Sequence, residues 1–126
     1  MQDRRNTIQL DAILKAFENA GRPLSIDELH ASASKVVETL GLRTVYRVIR
    51  KLEEDGEIAS VVVPGQPDRY ELASVAATHH HHFHCTSCDR VYDVPGCPGR
   101  LSGLVPEGFV LNHHEIMLSG LCKTCA

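Results

Sequence analysis

The chain has 126 residues, a formal net charge of −3 and 43% hydrophobic residues. That length suits one ordinary domain, or two very small ones sharing an interface, and the composition is that of a globular protein. No apolar run approaches the roughly 18 residues that suggest a membrane span. The bulk charge excludes a chain that attracts nucleic acid by its overall field, so such a partner requires a local basic face.

The N-terminal stretch MQDRRNTIQL lacks the apolar core of a signal peptide, which points to a cytoplasmic location. Five cysteines, an odd number, in a chain without an export signal favour metal ligation or redox chemistry over a disulfide framework. The sequence changes character near residue 75. Residues 1–72 hold most of the charged side chains, no cysteine, and His30 as their one histidine. Residues 79–126 hold all five cysteines and the remaining histidines. Between them lies the small, uncharged ASVAAT. We read an N-terminal domain over 1–74, a linker at 75–78 and a second domain over 79–126.

In TIQLDAILKAFENAGRP the apolar residues Leu10, Ile13, Leu14 and Phe17 fall on one stripe of an amphipathic helix, which Gly21 and Pro23 end. SIDE then offers Ser25 as N-cap with Glu28 three residues on, a capping box. The second helix that follows carries Ile26, Leu29 and Ala33 inward. In LRTVYRVIRKLEEDG a third helix has Val45, Val48, Ile49 and Leu52 as its core stripe. A second stripe, Arg43, Tyr46, Arg47 and Arg50, is rotated away from the core, with Thr44 and Lys51 beside it. No acidic residue interrupts from Arg43 to Leu52. Two readings fit: a solvated outer face, or a surface for DNA, since guanidinium forks suit phosphates and guanine edges. Context favours DNA. GEIASVVV and RYELA read as two strands joined by the turn PGQPD, and three helices followed by a hairpin is the order of a winged helix-turn-helix, whose third helix enters the major groove.

In the second half, Cys85-x2-Cys88 and Cys122-x2-Cys125 are two identical short pairs. Together they supply the four thiolates of a closed structural zinc site, with a folded segment between them. Residues 79–126 are too few to bury a large core alone, so a metal and a partner subunit would supply what burial does not. HHHHFHC and RVYDV read as paired strands around TSCD. Side chains alternate along a strand, so His79 and His81 point one way and His80, His82 and His84 the other. A solvated polar strand competes with the metal reading, but four consecutive histidines beside a zinc-type cysteine pair favour metal. FVLNHHEIML reads as a further strand with His113 and His114 on opposite faces. Asp93 ends the VYDV strand, Glu71 ends the wing strand, and Cys97 in VPGCPG is the unpaired fifth cysteine, a buried inert thiol or a ligand.

GLRTVYRVIRKLEEDG, YEL, HHHHFHCTSC and NHHEIMLSGLCKTC together resemble the ferric uptake regulator family of metal-dependent repressors, most closely its zinc uptake branch, and the likeness spans nearly the whole chain. The resemblance implies an α+β fold: an N-terminal winged helix, then a small C-terminal α/β dimerisation domain with structural zinc. It implies a homodimer that binds an AT-rich palindromic operator in double-stranded DNA when metal-loaded. Position by position, Tyr46 and Arg47 match the base-contacting pair, and Cys85, Cys88, Cys122 and Cys125 match the structural zinc ligands. His80, His82 and Glu71 match a regulatory hinge site. His79, His81 and His114 match a site inside the dimerisation domain. His84 shares the hinge-side parity and matches no family ligand.

Three departures stand out. Before the second helix the family commonly has a histidine ligand, where this sequence reads GRPLS; Asp93 is the substitute at the hinge. After VYDV the family usually supplies a glutamate to the inner site, where a shorter PGCPGRLSG offers Cys97 as fourth ligand. The extra first helix of many members is expected to be missing, because the sequence opens almost at TIQLDAIL. A thiolate in the inner site favours zinc, whereas Fe2+ or Mn2+ also suits a hinge of histidines and carboxylates, which resembles the peroxide-sensing branch of the family as well. The rival classes are a metal-buffering protein and a thiol redox enzyme, neither of which needs the basic stripe. No G-x-x-x-x-G-K-[ST] or H-E-x-x-H occurs. The expectation is therefore a regulator that is not an enzyme, with no small organic substrate and no membrane partner.

Overall fold

The computed structural model describes residues 2–126, with side chains from Thr7 onward. The chain divides into two compact units, one ending at Thr78 and one spanning His79–Ala126. No helix among the described residues is long and apolar enough to cross a membrane.

The first unit opens with α1 (Gln2–Ala20), α2 (Ile26–Ala33) and α3 (Leu42–Glu54). Helix α1 stops where Gly21 takes φ +61°, a left-handed C-terminal turn that costs glycine nothing. The capping box forms: the Glu28 amide donates to Ser25 Oγ at 3.1 Å, and the Ser25 amide donates to Glu28 Oε1 at 3.2 Å. Ile13, Phe17, Leu29, Ala33, Val45, Ile49 and Leu52 are buried in one cluster, with Leu10, Leu14, Ile26 and Val48 packed on its edge. The stripes read from sequence are thus the faces that pack.

The hairpin is β1 (Ile58–Val61) against β2 (Arg69–Leu72), antiparallel, with Ile58 opposite Leu72 and Ala59 opposite Glu71. Strand β1 is shorter than GEIASVVV suggests: pairing ends at Val61, and Gly65 turns the loop with φ +73°. Leu24, just before α2, exchanges two backbone hydrogen bonds with Tyr70 (2.9 and 2.8 Å), which ties the wing to the helices. Glu28 adds a charged clasp there. It sits 2.6 Å from Arg22 and 3.9 Å from the buried Arg69, whose guanidinium also donates to the Pro67 carbonyl at 2.7 Å. A buried cation needs such partners.

ASVAAT is not plain linker: Ala73–Ala76 forms the short helix α4. Alanine is the best helix former, and the Ala73 amide is anchored on the Glu57 carbonyl at 2.9 Å.

The second unit is a three-stranded sheet in the order β4-β3-β5, built from β3 (His81–Cys85), β4 (Val91–Val94) and β5 (Met117–Gly120). Strand β4 is antiparallel to β3, pairing His82 with Asp93 and Phe83 with Tyr92. Strand β5 is parallel to β3, pairing Cys85 with Gly120. A Cβ added at Gly120 would lie 3.3 Å from the Phe83 ring. The expected strand over FVLNHHEIML is not formed; only Met117 and Leu118 of it enter β5. The β3–β5 register begins at His82 and Met117, so residues 109–116 lie ahead of the ladder, and a strand exists only where its backbone groups are paired. The helical part of this unit is a 3-10 turn, Ser102–Leu104. Pro95, Gly96, Pro98, Gly99 and Gly103 prevent a longer helix.

Candidate metal centres and nucleic-acid interface

The parallel pairing of β3 with β5 decides where the cysteines meet. Cys85 closes β3 and Cys122 follows β5, so register alone brings the two C-x2-C turns together. All five cysteines are free thiols. One sulfur from each of Cys85, Cys88, Cys122 and Cys125 lies within 4.8 Å of the others, and Cys88 Sγ is 3.9 Å from Cys122 Sγ. A zinc tetrahedron with Zn–S of about 2.3 Å places its sulfurs about 3.8 Å apart, so the set fits that ion. The chemistry fits as well. Backbone amides of Cys88 and Cys122 donate to Cys85 Sγ at 3.5 and 3.4 Å and lower its thiol to about 6, which makes it a thiolate at neutral pH. The Cys122 thiol is also lowered, first by the Cys125 amide.

The strand expected over HHHHFHC begins only at His81, so His79 and His80 lie ahead of β3, and the histidines still fall into two groups. His79, His81 and His114 pack ring against ring, with centroids 4.8–5.1 Å apart. Cys97 joins them, its sulfur 3.3 Å from His114 Nε2, and one donor atom from each of the four lies within 4.8 Å of the rest. His81 is 3% exposed, and burial followed by the His79 and His114 imidazoles pushes it below the usual histidine range. Its Nε2 is buried without a hydrogen-bond partner. A neutral imidazole with an orphaned nitrogen beside a thiol is what a metal ligand set offers before loading.

On the opposite side of β3, the His80 and His82 rings lie 4.7 Å apart, and Asp93 Oδ1 is 3.6 Å from His80 Nε2 and 3.5 Å from His82 Nε2. The cross-strand pairing of His82 with Asp93 delivers the carboxylate. Glu71 belongs to the first unit, buried on β2.

Two contacts escaped sequence reasoning. His84 Nε2 is 2.6 Å from Asp89 Oδ1 across the C-x2-C turn, a pair that i, i+5 spacing around a turn could have suggested. Tyr92 hydrogen-bonds Cys122, and that bond, followed by burial, raises the Tyr92 hydroxyl. Its only sequence signal was its place in VYDV, one residue from Asp93.

On α3, Arg43, Tyr46, Arg47, Arg50 and Lys51 are exposed and Thr44 is half-buried, while Val45, Ile49 and Leu52 hold the helix to the core. Lys51 shares its charge with Asp55 at 3.2 Å. A fixed helix with a basic outer face on a winged-helix frame, followed by a unit rich in thiol and imidazole clusters, defines a metal-dependent DNA-binding regulator.

Comparison with known proteins places it more closely. Residues 2–119 match the Ferric uptake regulator family. The Ferric uptake regulation protein of Synechococcus elongatus is 28% identical over 126 residues, covering 96% of this chain and 85% of its own. The solved structure of a zinc-bound manganese uptake regulator aligns with a TM-score of 0.77 at 26% identity, over 90% of this chain and 87% of that one. FurB from M. tuberculosis, described as a zinc uptake regulator, aligns with a TM-score of 0.52 at 28% identity, over 97% and 95%. The chain belongs to the ferric uptake regulator family: it is a metal-responsive transcriptional regulator and not an enzyme. Its relatives are named for different metals, so membership fixes the class and leaves the metal to the residues.

Proposed function

We propose that the chain is a zinc-responsive repressor of metal uptake genes, binding an AT-rich palindromic operator as a homodimer when metal-loaded. The observation that carries the zinc reading is Cys97, whose sulfur lies 3.3 Å from His114 in a cluster of three imidazoles. A thiolate with imidazoles is a softer set than iron or manganese prefers. Cys85, Cys88, Cys122 and Cys125 hold a structural zinc, which supplies cohesion and no chemistry.

Glu71 from the winged helix, with His80, His82 and Asp93 from the second unit, is the regulatory set at the hinge. Residues that share one ion across a hinge hold the two units in one orientation. The Arg43, Thr44, Tyr46, Arg47, Arg50 and Lys51 faces of a dimer are thereby presented to successive major grooves, roughly 34 Å apart. The ion favours the DNA-binding arrangement only by as much as these ligands prefer it there. A second reading, Fe2+ or Mn2+ at the hinge, draws support from the Asp93 oxygen lying within 3.6 Å of both imidazoles.

Operator titrations by fluorescence anisotropy test this, run with zinc, iron and manganese in turn. Zinc should tighten binding most, and replacing His80 and His82 together by Ala should remove the metal dependence while the dimer stays intact. An unchanged metal response in that variant sinks the hinge assignment.

A further inference from the structure

His30 is the one histidine of residues 1–72, and it belongs to none of the ligand clusters among the described residues. It lies half-buried in the last turn of α2. Its backbone carbonyl accepts from the Ser34 amide at 2.9 Å, where the chain leaves that helix. Its ring reaches the other end of the connection, with Nε2 2.8 Å from the Leu40 carbonyl. A carbonyl only accepts, so Nε2 carries the proton and donates. One residue thus grips both ends of the segment between α2 and α3.

That segment needs a grip. A helix-turn-helix usually turns within about three or four residues, whereas residues 34–41 separate these two helices. Helix α3 has little of its own to define where it starts. Gly41 stands at the N-cap and supplies no side-chain cap, and the first turn holds no acidic residue. The first amides of any helix have no partner inside it, so an uncapped start frays readily. Packing does not hold this turn either. The buried residues Val45, Ile49 and Leu52 begin only after it, while Leu42 is 40% exposed, Arg43 is exposed and Thr44 half-buried. What is fixed is the residue before the cap. Leu40 has its side chain buried, its amide donating to the Val37 carbonyl at 3.0 Å, and its carbonyl held by His30. Arg43 and Thr44 lie in the turn that follows. Fraying there would disorder both and leave Arg47 and Arg50 on a helix still anchored to the core.

We propose that His30 is a positioning residue for DNA recognition: its bond to the Leu40 carbonyl fixes the first turn of α3, and with it the groups that Arg43 and Thr44 present to an operator. The proposal rests on the DNA-binding reading of α3 above and involves no metal ligand.

The test uses the zinc-loaded full chain, an AT-rich palindromic duplex that the parent selects from a random pool, and a scrambled duplex. His30→Leu keeps the bulk and removes the donor. His30→Gln places an N–H where Nε2 was, whereas the shorter His30→Asn does not reach. We expect His30→Leu and His30→Asn to bind the selected duplex about fivefold more weakly, the weight of one hydrogen bond, and the scrambled duplex unchanged. His30→Gln should restore binding. Hydrogen exchange at the Val45 amide, which donates to the Gly41 carbonyl at 3.2 Å, should quicken in His30→Leu while Ile49 and Leu52 stay protected. In mutant cycles the His30→Leu loss should vanish on an Arg43→Ala background and add in full to Arg50→Ala. The proposal is overturned if His30→Leu binds as the parent does, if Asn rescues as well as Gln, if exchange at Val45 is unchanged, or if the loss adds equally to both arginine variants, which would mark a general loosening of the unit. A parent that selects no duplex over the scrambled one would overturn the DNA-binding reading itself, and this proposal with it.

Discussion

At Asp89 the backbone takes φ +65°, a conformation that L side chains rarely adopt and that aspartate and asparagine tolerate best after glycine. The residue follows Cys88 directly, so this turn aims the first thiol pair. His84 holds it through the 2.6 Å contact with Asp89, which gives a histidine that matches no family ligand a job in shaping the turn. Asp89→Ala should therefore lose ~1–2 kcal/mol, from left-handed strain and the missing contact together. Asp89→Gly should recover most of it, because glycine removes the strain. Urea denaturation of the zinc-loaded proteins measures both, and equal stability of the two variants would refute strain as the cause.

Among the elements, α3 shows how two faces divide the labour. Val45, Ile49 and Leu52 are buried while Arg43, Tyr46, Arg47 and Arg50 stand out from the unit. A rigid helix presents its guanidinium groups without the cost of ordering a loop. Arg47→Ala should weaken specific operator binding by ~1–3 kcal/mol and relax the sequence preference, whereas Lys51→Ala, at a position we propose to face phosphate, should weaken all sequences alike and flatten the salt dependence by about one unit. Anisotropy titrations across salt, with matched and mismatched operators, separate the two outcomes. Periodicity made α3 readable because its core and its surface both repeat at helical spacing. Alternation likewise sorted His79 and His81 from His80 and His82, since a strand cannot mix its faces. What sequence could not show was pairing. FVLNHHEIML has the pattern of a strand, but pattern does not say whether a partner is available, and residues 109–116 remain irregular. ASVAAT reads as a spacer because it is small and uncharged, yet alanine also makes helix, and the Glu57 carbonyl anchors α4. The parallel β3–β5 register that joins the two C-x2-C turns depends on the same kind of long-range pairing.

Taken whole, the molecule is unevenly supported. The buried hydrophobic cluster lies entirely in the first unit, whereas past Thr78 only Cys85 and Val91 are buried hydrophobic residues among those described. Apolar burial therefore stabilises the winged helix, and we propose that metal held by the four cysteines stabilises the second unit. Structural zinc contributes ~10–16 kcal/mol in small peptides at neutral pH, as much as the ~5–15 kcal/mol that holds an ordinary domain. Stripping zinc with a strong chelator should thus unfold residues 79–126 while the helical circular dichroism of the first unit persists. Calorimetry should then show one transition near that of the untreated first unit. Loss of both units in a single step would mean that the winged helix relies on the metal too.

Gly120 is no metal ligand, yet it stands opposite Cys85 in the register that unites the thiol pairs, where a Cβ would lie 3.3 Å from the Phe83 ring, a contact tight enough that the ring has to give by a few tenths of an ångström. Its constraint is one of space, inherited by chemistry two residues away at Cys122. A genetic screen for variants blind to metal would accordingly return lesions at this position, and a map of ligands alone would leave them unexplained.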